Sequence, residues 1–276
     1  MTPPTDARPE ARPRYVELPP STALAPWVAC YWSIRGDAAE PVPNRVLPDG
    51  CADVIVGIGG AARAMAVGTM RTAALVTLAG RVDLFGVRFR PGAALGVLDV
   101  PLRELTDGRA PLDALWGGAA GAVEDLAAHA TTAERAAHVE RVLAQRLRAW
   151  RATADEALAA RAVALLRQAR GGVGVRDVAA ALGVGERRLE RAFDRAVGLG
   201  PKALARVLRF RRALRGIERA DPTRLPAWTA LAYAAGYADQ SHLIREFRAL
   251  AGVTPARYAA ERARVGFVQY AEDGAA

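Results

Sequence analysis

Two short stretches of the sequence carry side chains that can form hydrogen bonds to the edges of DNA bases. An arginine donates two parallel hydrogen bonds to guanine, and a glutamine pairs in the same bidentate way with adenine. A glutamate accepts a hydrogen bond from cytosine. By side-chain type and helix side, the candidate base-facing residues are Arg187, Arg191, Gln240 and Arg245. They can read bases only if rigid elements present them together, so the surrounding pattern decides the interpretation.

The stretch 240–251 has the pattern of an amphipathic helix. At about 100° per residue, Leu243, Phe247 and Leu250 fall on one apolar stripe. The polar side chains on the opposite side are Ser241, Arg245 and Arg248. A helix divided in this way can lie in the major groove while its apolar side packs on a partner helix. The plainer interpretation, a solvated helix face, is favoured for one helix considered alone.

A second copy of the pattern lies 54 residues upstream. The repeated residues are Leu189, Arg191, Phe193, Gly198 and Pro201, which recur as Leu243, Arg245, Phe247, Gly252 and Pro255. Before each copy, a turn glycine is available for positive φ, first at Gly183 and then at Gly236. Each copy therefore predicts a helix-turn-helix, and the duplication favours DNA binding over a merely solvated face.

Residues beside the base-facing sides are expected to contact phosphates. They are Arg188, Arg195, Ser241 and Arg248. Asp239 is expected to cap the second recognition helix, because its carboxylate can accept from free backbone amides. From the residues alone, Glu190 and Glu246 suit salt bridges with neighbouring arginines better than hydrogen bonds to cytosine. Between the copies, the stretch 201–219 predicts a linker helix, which would hold the two recognition helices about 34 Å apart, one turn of DNA.

The positive charge is concentrated in the second half of the chain. Residues 1–150 contain 16 basic and 16 acidic residues, so 22 of the 38 basic and 13 of the 29 acidic residues follow them. The net charge of +9 therefore lies in residues 151–276. A neutral half joined to a basic half favours a sensing or assembling module attached to one that meets a polyanion.

Several classes of protein are disfavoured by the sequence. The N-terminal stretch is rich in proline and charge, unlike a secretory signal, and no apolar run reaches the roughly 18 residues of a membrane span. We therefore expect a cytoplasmic, nucleoid-associated protein with no membrane partner. Two cysteines and three histidines, without metal-ligand spacing, predict no disulfide framework and no metal site. We predict no cofactor, no catalytic residue and no enzyme activity.

The order of the predicted elements indicates an α+β fold. Strands are expected within 27–34, 51–58, 73–79 and 82–90, and a long helix within 133–150. We predict a disordered lead-in at 1–14, a mixed strand and helix domain at 15–150, an all-α DNA-binding domain at 155–264 and a tail at 265–276. Within the all-α domain, the two helix-turn-helix units occupy about 175–198 and 227–251.

The C-terminal half resembles the AraC/XylS family of bacterial transcription regulators. The resemblance is carried by VRDVAAALGVGERRLERAFDRAVGLGP and, more specifically, by AYAAGYADQSHLIREFRALAGVTPARY. It covers about residues 155–264 and implies promoter or operator DNA as the partner, with RNA polymerase and a second copy of the chain as open possibilities. By position, the resemblance places the family's base contacts on Arg187, Glu190, Arg191, Gln240, His242 and Arg245. Gly185 and Glu186 stand where the family usually has Ser-Pro.

The N-terminal half resembles an uncharacterised domain often fused to such DNA-binding pairs. The matching stretches are WVACYWSIRG, RVLPDGCADVIVGIG and GRVDLFGVRFRPGAALGVLDVPLRELTD. The resemblance implies sensing of a small molecule, dimerisation or both. Residues able to form an effector pocket with an anion anchor are Trp27, Tyr31, Trp32, Cys51, Arg88 and Arg90. Alternatively, these aromatic residues belong to the core of the domain.

Three functions follow, of different classes. The first is a sequence-specific transcription regulator that responds to a small-molecule effector. The second is a regulator switched by alkylation or oxidation of Cys30 or Cys51, although no histidine or lysine close in sequence would activate either thiol. The third is an architectural protein that coats DNA regardless of sequence, which the net charge favours and the duplicated recognition pattern disfavours.

Overall fold

The computed structural model describes residues 13–58, 63–220 and 227–265, with side chains to residue 262. The predicted α+β fold is confirmed, with an antiparallel sheet first and helices after it. The strands are β1 (Arg14–Leu18), β2 (Val28–Val46), β3 (Ala52–Gly57), β4 (Ala64–Val67), β5 (Ala74–Phe89) and β6 (Arg109–Pro111). Their order in the sheet is β1-β2-β5-β3-β4-β6. The predicted lead-in and tail lie outside the described residues, apart from residues 13, 14 and 265.

The sheet is strongly coiled. β2 and β5 pair with Val46 opposite Ala74 at one end, and β3 joins the other end, where Ala52 lies opposite Phe89. A straight strand of the 16 residues of β5 would measure about 50 Å, whereas the link from β2 to β3 spans at most about 20 Å. The ladder must therefore bend, and its register shift at 38–42 marks a bulge of the kind that bends strands.

One strand replaces two predicted ones. The stretches 73–79 and 82–90 were expected to be separate strands because Gly80 lies between them, but β5 runs through both. Gly80 has a φ of 61° and still pairs with Ala38 on β2, beside the bulge. The glycine therefore accommodates the bend in the strand and does not form a turn. The short strands β1, β4 and β6 were not predicted.

The two faces of the sheet bury different clusters. On one face, Tyr31 stacks on Phe85, with ring centroids 6.2 Å apart, inside the main core. On the other face lies a smaller cluster, whose buried residues are Cys30, Trp32, Ile34, Leu78 and Val82. Trp32 lies flat against Gly86, where a Cβ would come within 2.0 Å of the indole. Side chains of the sheet therefore contribute to a buried cluster on each face.

Helices cover the main face of the sheet. They are α1 (Leu95–Leu98), α2 (Leu112–Trp116), α3 (Gly121–Glu124) and α4 (Thr132–Ala149), the last of which coincides with the predicted long helix. A capping box starts α4, because Thr131 and Glu134 each accept the other's backbone N–H. Buried Arg135 then donates two hydrogen bonds to Asp83 on β5, at 2.6 and 3.1 Å, and holds α4 on the sheet.

The C-terminal half is helical throughout its described residues. Its helices are α5 (Ala154–Gln168), α6 (Val175–Ala181), α7 (Glu186–Ala196), α8 (Pro201–Arg219), α9 (Trp228–Ala235), α10 (Gln240–Ala251) and α11 (Pro255–Val265). The expected linker helix is α8, which buries Leu204, Phe210 and Leu214. One apolar cluster continues from the sheet into these helices, so the two halves share a core. None of the described helices is long and apolar enough to cross a membrane.

Candidate nucleic-acid interface

A turn and an N-cap determine where the second recognition helix, α10, begins. Gly236 ends α9 with a φ of 86°, a conformation that favours glycine. Asp239 then caps α10 as predicted, because its carboxylate accepts the backbone N–H of His242 at 2.7 Å. Phe247 is fully buried and meets Phe210 of α8 edge to face, with centroids 4.9 Å apart. The apolar side of α10 is therefore fixed on the linker helix.

The opposite side of α10 faces solvent. Ser241, Arg245 and Arg248 are exposed, whereas Gln240 and His242 are half-buried. The amide oxygen of Gln240 accepts a hydrogen bond from Thr229 at 3.2 Å, and the His242 ring packs on Tyr237. Ser241, Arg245 and Arg248 thus lie on the accessible side, whereas α9 and the turn after it hold Gln240 and His242 in the first helical turn.

The first recognition helix, α7, has the same division. Leu189 and Phe193 are fully buried, while Arg187, Glu190 and Arg191 are exposed. The exposed side lines an open groove of about 620 Å³. The other residues lining this groove are Val175, Glu186, Asp194, Gly200, Pro201 and Lys202. Unlike α10, α7 begins at a glycine without a side-chain cap, and Glu186 in its first turn complements the helix dipole instead.

Arg188 and Arg195 were predicted to contact phosphates, but the structure gives both an intramolecular partner. Arg188 forms an ion pair with Asp155 at 3.0 Å, and Arg195 forms one with Glu156 at 3.6 Å. Both acidic residues lie in the first turn of α5. These two arginines therefore hold α7 against α5. Both arginine side chains are about half exposed, so their contacts with phosphates stay a prediction.

Arginines of the linker helix also act inside the protein. Arg206 forms a bidentate pair with Glu246 of α10, and Arg209 donates to the carbonyl of Gly171 at 2.7 Å. The hydrogen bond to Glu246 raises the pKa of Arg206. Burial by itself would raise the pKa of Glu246, but the hydrogen bonds and the charge of Arg206 lower it below its ordinary value. The expected role of Glu246 as an ion-pair partner is confirmed, and the pair fixes α10 on α8.

The predicted effector-pocket residues do not line one pocket. Tyr31 and Trp32 are consecutive on β2, so their side chains point to opposite faces of the sheet, into different clusters. Trp27 packs against the main core, and Arg90 donates to the carbonyl of Ala25 at 2.7 Å. The grouping of these residues with Arg88 in a single pocket is therefore wrong, and the alternative that the aromatic residues are core residues fits their burial.

Arg88 instead belongs to a buried charged cluster on the Trp32 face. It is 4% exposed and forms ion pairs with Asp49 at 3.4 Å and Asp53 at 3.3 Å. The Trp32 indole N–H donates to Asp53 at 2.9 Å. Burial raises the pKa of Asp53, although Arg88 opposes this shift. Because Asp49 and Asp53 face the same guanidinium, the positive charge expected to anchor an anion is already neutralised.

Neither cysteine has the properties of an activated thiol. Burial raises the pKa of Cys30 to about 12 and that of Cys51 well above its ordinary value. Arg88 opposes both shifts without reversing them. Since the thiolate is the reactive form, both residues are poor nucleophiles. No cluster of three metal-ligating side chains occurs among the described residues.

Sequence reasoning missed a set of polar contacts between the two halves. Arg45, Thr69 and Thr106 of the N-terminal half hydrogen-bond to backbone carbonyls at the ends of α7 and α10. No local signal marks these residues, because their partners lie between 92 and 206 positions away along the chain. The repeat displacement of 54 identifies equivalent carbonyls in the two helices, but not the side chains that reach them.

Two family models match the chain. Residues 178–261 match a family described as a helix-turn-helix domain, and residues 16–111 match a domain of unknown function, DUF6597. No curated protein matches the sequence significantly. The first match covers α7, α8, α9 and α10 completely, and therefore includes both recognition helices.

Solved structures show more distant likenesses. One is a transcriptional regulator with an AraC-type DNA-binding domain from Chromobacterium violaceum, with 25% identity and a TM-score of 0.36 over 40% of this chain and 96% of that one. Another is ToxT from Vibrio cholerae, with 10% identity and a TM-score of 0.43 over 83% of this chain and 97% of that one. A ToxT structure with bound unsaturated fatty acid has 12% identity, a TM-score of 0.43, and coverage of 87% and 98%. The match to the family model, and not these likenesses, shows a helix-turn-helix domain at residues 178–261.

Proposed function

We propose that the protein is a transcription regulator of the AraC type that binds one DNA sequence through α7 and α10, and the helix-turn-helix family match over residues 178–261 supports this. The observation that supports this most is the duplicated division of these helices. In each, an arginine of the repeat is exposed, Arg191 or Arg245, while the matching phenylalanine, Phe193 or Phe247, is fully buried. A surface that is only basic would not require an exposed arginine and a buried phenylalanine at matching positions of both repeats.

In the proposed complex, each recognition helix enters the major groove with its first two turns. Arg187 and Arg191 of α7, and Arg245 of α10, donate to guanine edges or to phosphates. Exposed Arg248 neutralises a phosphate beside the second helix. Since one chain carries both recognition helices, a single copy suffices to bind a site of two consecutive grooves.

Selection from a pool of random duplexes tests this proposal. The full chain is expected to enrich one two-part sequence and to bind it at least about 10³-fold more tightly than random duplex at physiological salt. A salt titration of both duplexes separates specific binding from coating, because a purely electrostatic complex weakens with salt to the same degree on every sequence. Equal affinity and equal salt slopes on the two duplexes would favour the architectural alternative.

We further propose that the N-terminal domain senses a small molecule through the charged cluster of Arg88, Asp49 and Asp53. Charged groups buried among apolar side chains are unfavourable unless they are paired. A ligand that forms a new ion pair with Arg88 or with one of its two aspartates can therefore change the packing around the cluster. The cluster is close to the DNA-binding domain. Asp49 accepts the N–H of Cys51 at 2.8 Å, and a Cβ at Gly50, between them, would lie 2.6 Å from Leu204 of α8.

A thermal-shift screen of small organic cations and anions against the full chain would identify such a ligand. A compound that stabilises the wild-type protein, but not an Asp49→Asn variant, is the expected result. Stabilisation that is unchanged by Asp49→Asn and by Asp53→Asn would show that the ligand binds elsewhere.

A further inference from the structure

The N-terminal domain contacts the C-terminal end of the first recognition helix through two threonines. Thr69, 2% exposed in the segment between β4 and β5, donates its hydroxyl to the carbonyl of Val197 at 3.0 Å. Thr106 donates to the carbonyl of Gly198 at 2.7 Å. A Cβ at Gly198 would lie 2.7 Å from the Thr106 hydroxyl and 2.8 Å from the Leu102 carbonyl. Only a glycine therefore permits this close contact.

The same domain contacts the equivalent end of the second recognition helix. The backbone N–H of Ala73, immediately before β5, donates to the carbonyl of Leu250 at 2.7 Å. Arg45 of β2 donates to the carbonyl of Ala251 at 2.9 Å and pairs with Glu261 of α11 at 3.3 Å. The repeat displacement of 54 makes Val197 and Ala251 equivalent positions. Corresponding carbonyls of both helices are thus bound by the same sheet domain.

These contacts suit the chemistry of a helix end. The last four carbonyls of a helix have no partner inside it, and the helix dipole places partial negative charge there. A hydroxyl satisfies such a carbonyl, and the guanidinium of Arg45 also complements the dipole of α10. Gly198 and Gly252, with φ values of 78° and 74°, end the two helices so that these carbonyls are presented in the same way.

The contacts leave the candidate base-facing sides open. Base-facing positions occupy 187–191 in α7 and 240–245 in α10, within the first half of each helix, whereas the N-terminal domain holds the last residues. A recognition helix enters the major groove with its N-terminal residues foremost. The N-terminal domain can therefore remain attached while both helices contact DNA.

We propose that the N-terminal domain is a two-point clamp that sets the distance and angle between the two recognition helices, with Arg45, Thr69 and Thr106 as positioning residues. This inference rests on the proposed function of α7 and α10 in reading DNA. The linker helix α8 connects the two helix-turn-helix units at one point only. The contacts of the N-terminal domain supply a second connection, which prevents rotation of the units about the axis of α8. Recognition of a two-part site with a fixed spacing then depends on residues that touch no DNA.

The test measures the tolerance of the full chain for altered spacing. The probe is the duplex that the wild-type protein enriches from a random pool, used as selected and with one or two base pairs inserted between its halves. The clamp variant combines Arg45→Met, Thr69→Val and Thr106→Val, which keep most of the side-chain volume. The control combines Arg81→Met and Thr77→Val, two exposed positions of β5. Circular dichroism and thermal unfolding establish that both variants are folded.

The wild-type and control proteins are expected to lose at least about tenfold in affinity with one inserted base pair, whereas the clamp variant should lose less than about threefold. A spacing penalty in the clamp variant equal to that of the wild type would overturn the clamp. A clamp variant that binds the original duplex more tightly would also overturn it, since the contacts would then hold an inactive arrangement. If the wild type enriches no sequence, the proposed function itself fails, which is a distinct outcome.

Discussion

Arg206 on the linker helix donates two hydrogen bonds to the carboxylate of Glu246 on α10, with N–O distances of 2.7 and 3.0 Å. The carboxylate is 20% exposed and the guanidinium 37%. This pair joins the second recognition helix to the element that connects both units. Its geometry is that of a bidentate arginine–carboxylate pair, the strongest type of ion pair in proteins.

Loss of this pair should destabilise the protein. We expect Glu246→Gln to lower the free energy of unfolding by about 1–2 kcal/mol, since a charge-assisted bond is replaced by a neutral one. Arg206 lowers the pKa of Glu246 in the folded state, so the stabilisation is present above the ordinary value of 4.5 and is lost as the pH falls through the lower folded value.

Denaturant unfolding between pH 3 and 7 measures this effect, because the range brackets the ordinary carboxyl pKa of 4.5. As the pH falls through the acidic part of the range, the Glu246→Gln variant should lose less of its free energy of unfolding than the wild type does. Glu104→Gln is the control, because Glu104 is half-exposed and pairs with Arg103 at 3.6 Å on the surface. Parallel pH profiles for wild type and Glu246→Gln would contradict the prediction.

Arg245 and Arg248 should differ in what their loss does to DNA binding. Arg245→Ala is expected to cost about 1–3 kcal/mol on the selected duplex and to relax the preference at one base pair. Arg248→Ala is expected to weaken binding to selected and random duplexes alike and to lower the salt slope by about 1. Fluorescence anisotropy on both duplexes at several salt concentrations measures the two effects. Identical losses on both duplexes for both variants would remove the assigned roles.

Two glycines of the first helix-turn-helix provide a matched pair for the contact between domains. Gly183 and Gly198 have φ values of 67° and 78°. An alanine at either position would have to adopt this left-handed conformation, which destabilises the folded state by about 1–2 kcal/mol. Nothing lies within 4 Å of a Cβ at Gly183, whereas one at Gly198 would collide with the N-terminal domain. Thermal unfolding should therefore show a clearly larger loss for Gly198→Ala. Equal losses of stability in the two variants would show that the contact between the domains accommodates the added methyl group with no loss of free energy.

Neither thiol should react readily in the folded protein. Burial raises the pKa of Cys30 to about 12, and Cys51 is shifted in the same direction. Mass spectrometry after iodoacetamide treatment at neutral pH should show little modification until denaturant is added. Rapid native alkylation of Cys51 that also changes DNA affinity would restore the thiol-switch alternative.

Local patterns were sufficient for the helical half of the protein. The apolar stripe of Leu243, Phe247 and Leu250, the N-cap Asp239 and the turn at Gly236 each depend on residues within a few positions of one another. Such signals can be read along the chain because a helix and its caps are closed by short-range hydrogen bonds. For that reason the predicted linker helix at 201–219 coincides with α8, Pro201–Arg219.

Only the tertiary structure decided how distant segments meet. Gly80 looked like a break between strands until its pairing with Ala38 placed it inside β5. The ion pair of Arg188 with Asp155 of α5, at 3.0 Å, joins residues 33 positions apart in the chain. The sequence by itself determined two helix-turn-helix units with basic outer sides. The fold decided that one sheet domain holds both recognition helices by equivalent carbonyls, because backbone acceptors carry no side-chain signature and their donors lie far away in the chain.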